Sequence, residues 1–158
     1  MRNGKPALDL DRFLPYRLSV LTNTVSRAFA KHYSERFDLS VHEWRVMAVL
    51  GRYPHLSAND IAQRTAMDKV QVSRAVRRLM RAKRVARETD GADGRVKRLA
   101  LTPRGHAIYA EIVPMALGFE KALKRALSPS EARAFEKLAA KLSGAVRALR
   151  ENGKRRRP

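Results

Sequence analysis

Apolar residues recur along most of this 158-residue chain at the three- and four-residue spacing of amphipathic helices. Leu14, Leu18, Leu21, Val25, Phe29 and Tyr33 form one long stripe. Trp44, Met47, Ala48 and Leu50 form a second, ending near Gly51. Ile61 and Ala62 belong to a short third helix, and Val72, Val76 and Leu79 mark one face of a fourth. Ile108, Ile112, Ala116, Phe119 and Leu123 make a fifth, which Pro114 is expected to kink. Phe135, Leu138, Leu142, Val146 and Leu149 give the last helix a coiled-coil-like seam. Between the fourth and fifth helices the period shortens to two. Val85 to Thr89 and Val96 to Leu101 read as strands around Asp90-Gly91-Ala92-Asp93-Gly94-Arg95, which supplies the residues of a hairpin turn. The pattern predicts a mostly α protein with a small β-hairpin wing (α+β).

Five helix starts share one grammar: an apolar residue, then a hydroxyl or carboxylate cap. Leu39-Ser40 is followed by Glu43, Leu56-Ser57 by Asp60, and Met67-Asp68 by Gln71, each acid or amide placed to close a capping box. Leu101-Thr102 and Leu127-Ser128 are each followed by proline at the first helical position, Pro103 and Pro129. A cap contributes about 1 kcal/mol by satisfying an orphan N–H, so this repetition sets boundaries better than propensity does.

The formal net charge of +19 implies an anionic partner, and its distribution says which. Residues 68–105 carry 12 basic and 4 acidic side chains, and residues 147–158 carry 6 and 1. The central block coincides with a short capped helix, a turn and a second capped helix, Ser57–Arg64 and Asp68–Ala82, the arrangement of a helix-turn-helix. With Val72, Val76 and Leu79 turned inward, the second helix presents Lys69, Gln71, Ser73, Arg74, Arg77, Arg78 and Arg81. These donors suit base edges and phosphates in a major groove. Gln71 is ambiguous, since it can close the cap of Asp68 instead. Arg95, Lys97 and Arg98 sit on or beside the hairpin tip, where an arginine fits a narrow minor groove or merely holds the turn with Asp93. The candidate DNA-binding set is Ser57, Asn59, Lys69, Val70, Gln71, Ser73, Arg74, Arg77, Arg78, Arg95, Lys97 and Arg98.

These residues resemble the MarR family of winged-helix regulators. The resemblance runs through Leu39-Ser40, Glu43-Trp44, Val46-Met47, Leu50, Leu56-Ser57, Ile61-Ala62, Val72-Ser73, Val76 and Leu79. It ends with Asp93-Gly94-Arg95 and Leu101-Thr102-Pro103-Arg104-Gly105, the most specific part. Gly94 departs from it, standing where a second basic residue is frequent. The resemblance implies a homodimeric transcription regulator, acting as a repressor on a pseudo-palindromic double-stranded DNA operator. Its implied parts are a DNA-binding lobe over 39–101, a helical dimerisation region over 10–38 and 102–150, and beyond them a basic tail, 151–158, which is expected to be disordered. It also implies an effector pocket, here for an aromatic carboxylate or its coenzyme A thioester. Tyr16, Arg17, Asn23, His42, Trp44, Arg45 and Tyr109 are the candidate lining, offering aromatic walls and cationic anchors. Core or surface roles for these same residues stay open.

Other classes are poorly served by the residues. With no cysteine there is no disulfide, thiol nucleophile or thiolate metal site, and a thiol redox switch is excluded. His32, His42, His55 and His106 lack metal-ligand spacing, and no phosphate-cradling glycine loop occurs, so neither an enzyme, a metal nor a cofactor is expected. No run approaches the roughly 18 apolar residues of a membrane span, and the start lacks a signal-peptide pattern, which makes the cytoplasm the expected location. The alternative function is non-specific DNA binding without an effector, permitted by the charge but not in need of a wing.

Overall fold

A computed structural model describes residues 7–89 and 97–155. Its elements are α1 (Leu14–Ala30), α2 (Ser34–Phe37), α3 (Val41–Arg52), α4 (Ala58–Thr65), α5 (Lys69–Arg81), β1 (Val85–Thr89), β2 (Lys97–Leu101), α6 (Pro103–Lys124) and α7 (Pro129–Arg155). The mixed fold class expected from the change of period is the one observed. The strands pair antiparallel, from Val85 opposite Leu101 to Thr89 opposite Lys97. Leu56 adds a bridge to Leu99 on the far side of β2, which ties the loop before α4 to the hairpin. The expected turn, Asp90 to Arg95, lies outside the described residues.

All five expected caps form. Ser40 and Glu43, Ser57 and Asp60, and Asp68 and Gln71 close reciprocal capping boxes at the starts of α3, α4 and α5. Ser128 does the same with Glu131 at α7, accepting from the Glu131 N–H (3.3 Å) and donating its own N–H to the Glu131 carboxylate (2.7 Å). Thr102 works in two directions. Its Oγ1 accepts from the Gly105 N–H (3.1 Å) and donates to the Lys83 carbonyl (2.7 Å), while its N–H reaches the Arg84 carbonyl (3.0 Å). The start of α6 is thereby fastened to the end of α5. A Cβ on Gly105 would stand 2.0 Å from that Arg84 oxygen, so only glycine permits the approach.

The chain divides into two compact units, the first ending at Ala116 and the second beginning at Leu117, within α6. The first unit holds the core: Leu39, Val46, Met47, Leu50, Ile61, Val72, Val76, Leu79, Val85, Leu99, Leu101 and Ile112, with Tyr33 and Phe37. In the second unit, Phe135, Leu138, Leu142, Val146 and Leu149 of α7 are all exposed.

Two expectations require correction. Tyr33 does not continue the first helix. The chain turns after Ala30, with the Tyr33 N–H on the Ala30 carbonyl, and Tyr33 caps α2 with its ring buried. Burying that ring outweighs one further helical turn. The tail, expected to be disordered from 151, continues α7 through Arg155. Glu151, Asn152, Lys154 and Arg155 extend a helix already nucleated, and one interior glycine costs only about 1 kcal/mol. Residues 156–158 lie outside the described ones.

Candidate nucleic-acid interface

Helix α5 is built so that one face is consumed by the fold and the other is left over. Val72, Ala75, Val76 and Leu79 are buried against the core. On the opposite side Lys69, Val70, Ser73, Arg74, Arg77, Arg78 and Arg81 are exposed. The αL residue Ala66 (φ 54°) makes the tight turn that sends the chain from α4 into α5.

Not every expected contact residue is at liberty. Gln71 accepts the Asp68 N–H (3.4 Å) and Asp68 accepts the Gln71 N–H (2.7 Å), so Gln71 closes the cap of Asp68. Ser57 is likewise engaged, its hydroxyl donating to the Asp60 carboxylate at 2.6 Å. These hydrogen bonds hold the Asp60 carboxyl below its usual range, the hydroxyl first and the Ser57 N–H second. Arg78 reaches back to Glu43 (3.3 Å), a carboxylate only 3% exposed at the start of α3. Glu43 also accepts the Ser40 N–H (2.9 Å), so a single buried carboxylate caps α3 and braces α5. Asn59 is exposed in the first turn of α4.

On the hairpin, Arg98 donates to the His55 carbonyl (3.4 Å), and His55 pairs with Glu88 (2.7 Å), binding β1 and β2 to the loop before α4. Lys97 opens β2 opposite Thr89. Arg95 lies outside the described residues. Arg87, which the sequence did not single out for the interface, enters it here beside Arg81. Arg81 and Arg87 join Ser73, Arg77, Val76 and Leu99 around a cavity of about 490 Å³ between α5 and the hairpin. The signal for Arg87 was present: it follows Val85 at period two and pairs with Leu99, so it continues the inward face of β1 past the edge of the core.

The residues proposed for an effector separate into two groups. Trp44 and Tyr109 stack at 6.1 Å, and Trp44 also meets Phe29 (6.1 Å) and Tyr33 (5.7 Å). Gly51 makes room for this cluster, since a Cβ there would lie 2.5 Å from the Tyr109 ring. Burial pushes the Tyr33 phenol up to about 12, against the opposing pull of the nearby Arg45 charge. Arg45 itself donates to Ser26 of α1 (2.9 Å). Tyr16, Arg17, Asn23 and His42 are exposed, and Tyr16 is ten residues from Ser26, about 15 Å along α1.

A family profile described as the MarR family matches residues 37–96, from the end of α2 into the hairpin. A MarR/EmrR-family transcriptional regulator from Acinetobacter sp. ADP1 superposes with a TM-score of 0.82 at 26% identity, over 89% of this chain and 99% of that one. The lobe thus matches the MarR family, and the fold is that of MarR-family regulators. A second solved structure, BpsR of Bordetella bronchiseptica, matches at a TM-score of 0.75 and 26% identity, over 88% of this chain and 98% of its own. Its DNA binding is regulated by 6-hydroxynicotinic acid. The transcriptional regulator TcaR of Staphylococcus aureus is 29% identical over 91 residues, 56% of this chain and 60% of TcaR. The alignment thus spans less than two thirds of that relative. The Acinetobacter protein and TcaR are transcriptional regulators, not enzymes. Among the described residues no helix is long and apolar enough to cross a membrane.

Proposed function

We propose that this protein is a MarR-family, sequence-specific, homodimeric DNA-binding repressor of transcription acting in the cytoplasm. The observation that carries the reading is the outward face of α5. A helix capped at its start, braced by Glu43 and sealed against the core leaves Ser73, Arg74 and Arg77 exposed in a row. Such a rigid element presents donors at fixed positions, which base readout requires and non-specific binding does not. In this reading the lobe over 39–101 contacts DNA, with Arg74 on a base edge and Lys69 and Arg77 on phosphates. Arg95, Lys97 and Arg98 form the wing contact. The regions 10–38 and 102–150 serve dimerisation.

Selection of bound duplexes from a random pool at fixed salt tests the reading. The expected result is a pseudo-palindrome with half-sites about one helical turn apart. Arg74→Ala should weaken binding by about 1–3 kcal/mol and relax one position in each half-site. A pool that stays random after selection overturns the specific function and leaves non-specific DNA binding in its place.

The same reading includes a small aromatic carboxylate, free or as its thioester, that lowers DNA affinity. Its support is the half-buried Trp44–Tyr109 stack near Arg45, together with the 6-hydroxynicotinic acid regulation of BpsR. Coupling of about 1–3 kcal/mol is the expected scale. Arg45→Ala should blunt the response while leaving DNA binding intact. An aromatic-acid series that neither raises the melting temperature nor releases DNA removes the effector from the reading.

A further inference from the structure

Resting on the DNA-binding reading, a further assignment comes from the one exposed side chain of α5 that can neither donate nor accept a hydrogen bond. The inward positions of α5 are Val72, Ala75, Val76 and Leu79. Val70 lies on the opposite line, where Ser73, Arg74 and Arg77 follow it three, four and seven residues later. It is 59% exposed, so the core does not require it. It also stands in the first turn, the part of a recognition helix that enters the major groove. The Gln71 side chain beside it is turned back onto the Asp68 N–H and leaves the apolar surface of Val70 uncovered on the outer line.

We propose that Val70 reads the C5-methyl group of a thymine, one turn of helix before the base that Arg74 contacts. A branched aliphatic group discriminates only by apolar contact. Across the four base pairs the major groove presents a single apolar group, the thymine methyl. Valine is suited to this because its χ1 is already stiff in a helix, so little rotamer freedom remains to be lost on contact. The assignment adds a base to the half-site that no charged or polar residue of α5 would report.

Deoxyuridine tests it directly, because it removes the methyl and keeps both the pairing edge and the O4 acceptor. Each thymine of the selected operator is replaced in turn, and affinity is measured for the parent protein and for Val70→Ala. One thymine per half-site should weaken binding of the parent by about 4-fold when its methyl is lost, about 15-fold when both half-sites are changed. Val70→Ala should bind the thymine operator more weakly and be indifferent to deoxyuridine at that same position. Its melting temperature should match the parent, since the side chain is exposed. If no thymine shows a methyl effect that disappears in Val70→Ala, while Arg74→Ala still relaxes its own position, the assignment to Val70 falls and the DNA-binding reading stands. If the parent shows no base preference anywhere, both fall together.

Discussion

Leu50, Ile61 and Leu79 of the winged lobe are fully buried, whereas Leu14, Leu18 and Leu21 of α1 and Leu138, Leu142 and Leu149 of α7 are exposed. Yet the two regions use the same language. Leu14, Leu18 and Leu21 in α1, and Leu138, Leu142 and Leu149 in α7, recur at helical spacing as regularly as Val72, Val76 and Leu79 do in α5. The difference is what each stripe meets within one chain. In the lobe, α3, α4, α5 and the hairpin close around one another, and caps and cross-links such as Thr102–Lys83 and Arg78–Glu43 hold the closure. The terminal helices have no such closure of their own. Apolar side chains left exposed in stripes of this kind mark an association face, and they are the reason the function proposed above includes a second copy.

The largest effect should come from polar substitution in the exposed seam. Leu138→Asp with Leu142→Asp removes four leucines from a symmetric pair of α7 helices, each worth roughly 1.5–3 kcal/mol when buried. Dimerisation should weaken by about 6 kcal/mol or more, and sedimentation at micromolar concentration should report a monomer whose lobe still melts cooperatively. A parent chain that is itself monomeric under those conditions breaks the comparison. Next, Leu79→Ala in the lobe should cost about 2–5 kcal/mol of folding stability, because a fully buried leucine leaves a cavity behind. Denaturant unfolding measures it, and a loss under 1 kcal/mol would mean that the lobe is not the closed unit described here.

A smaller effect is expected from Glu43→Gln. Glutamine preserves the acceptor for the Ser40 N–H but removes the ionic partner of Arg78. The loss of stability should be about 1 kcal/mol, modest because Arg78 is itself well exposed and returns to water. Arg78, released, becomes available to phosphate, so the salt dependence of DNA binding should steepen by up to one contact per subunit. An unchanged salt slope would mean that Arg78 already contacts DNA in the parent.

The smallest effect lies in acid, and it samples both regions. Hydrogen bonds from Ser57 hold Asp60 of the lobe below its usual carboxyl range, and those from the Ser128 N–H and hydroxyl do the same for Glu131 at the start of α7. A carboxylate depressed in the folded state contributes its stability above the ordinary carboxylate range. That contribution fades as pH falls into the range, and it is gone below the depressed value. Thermal melts taken from pH 7 downward should therefore lose stability only on entering that range. Asp60→Asn should flatten part of the fall, and a fall of unchanged steepness would remove Asp60 from the account.

The element starts were legible because a cap is a local device. Ser40, Ser57, Asp68, Thr102 and Ser128 each meet groups within three residues of themselves, so spacing alone locates them. The two faces of α5 were legible for a similar reason, since helical period assigns inward and outward positions without knowledge of the partner. Arg78, Arg81 and Arg87 were not sorted in this way. All three are basic, but Arg78 is spent on a carboxylate 35 positions earlier, while Arg81 and Arg87, the latter on the inward face of β1, line a cavity between α5 and the hairpin.

Sequence by itself therefore determined where the helices begin, which stripe of each is apolar, and that the charge gathers on one capped helix and its wing. Only the tertiary structure decided that Tyr33 leaves its helix to be buried and that Glu43 serves two helices at once. It alone also placed Trp44 against Tyr109 and left Leu14, Leu18 and Leu21 of α1 and the leucines of α7 exposed. The physical reason is range. Caps and periodicity act over three or four residues, whereas these outcomes depend on groups brought together across the chain, where burial of the Tyr33 ring outweighs a further helical turn and the buried Glu43 carboxylate needs the distant Arg78 as its ionic partner.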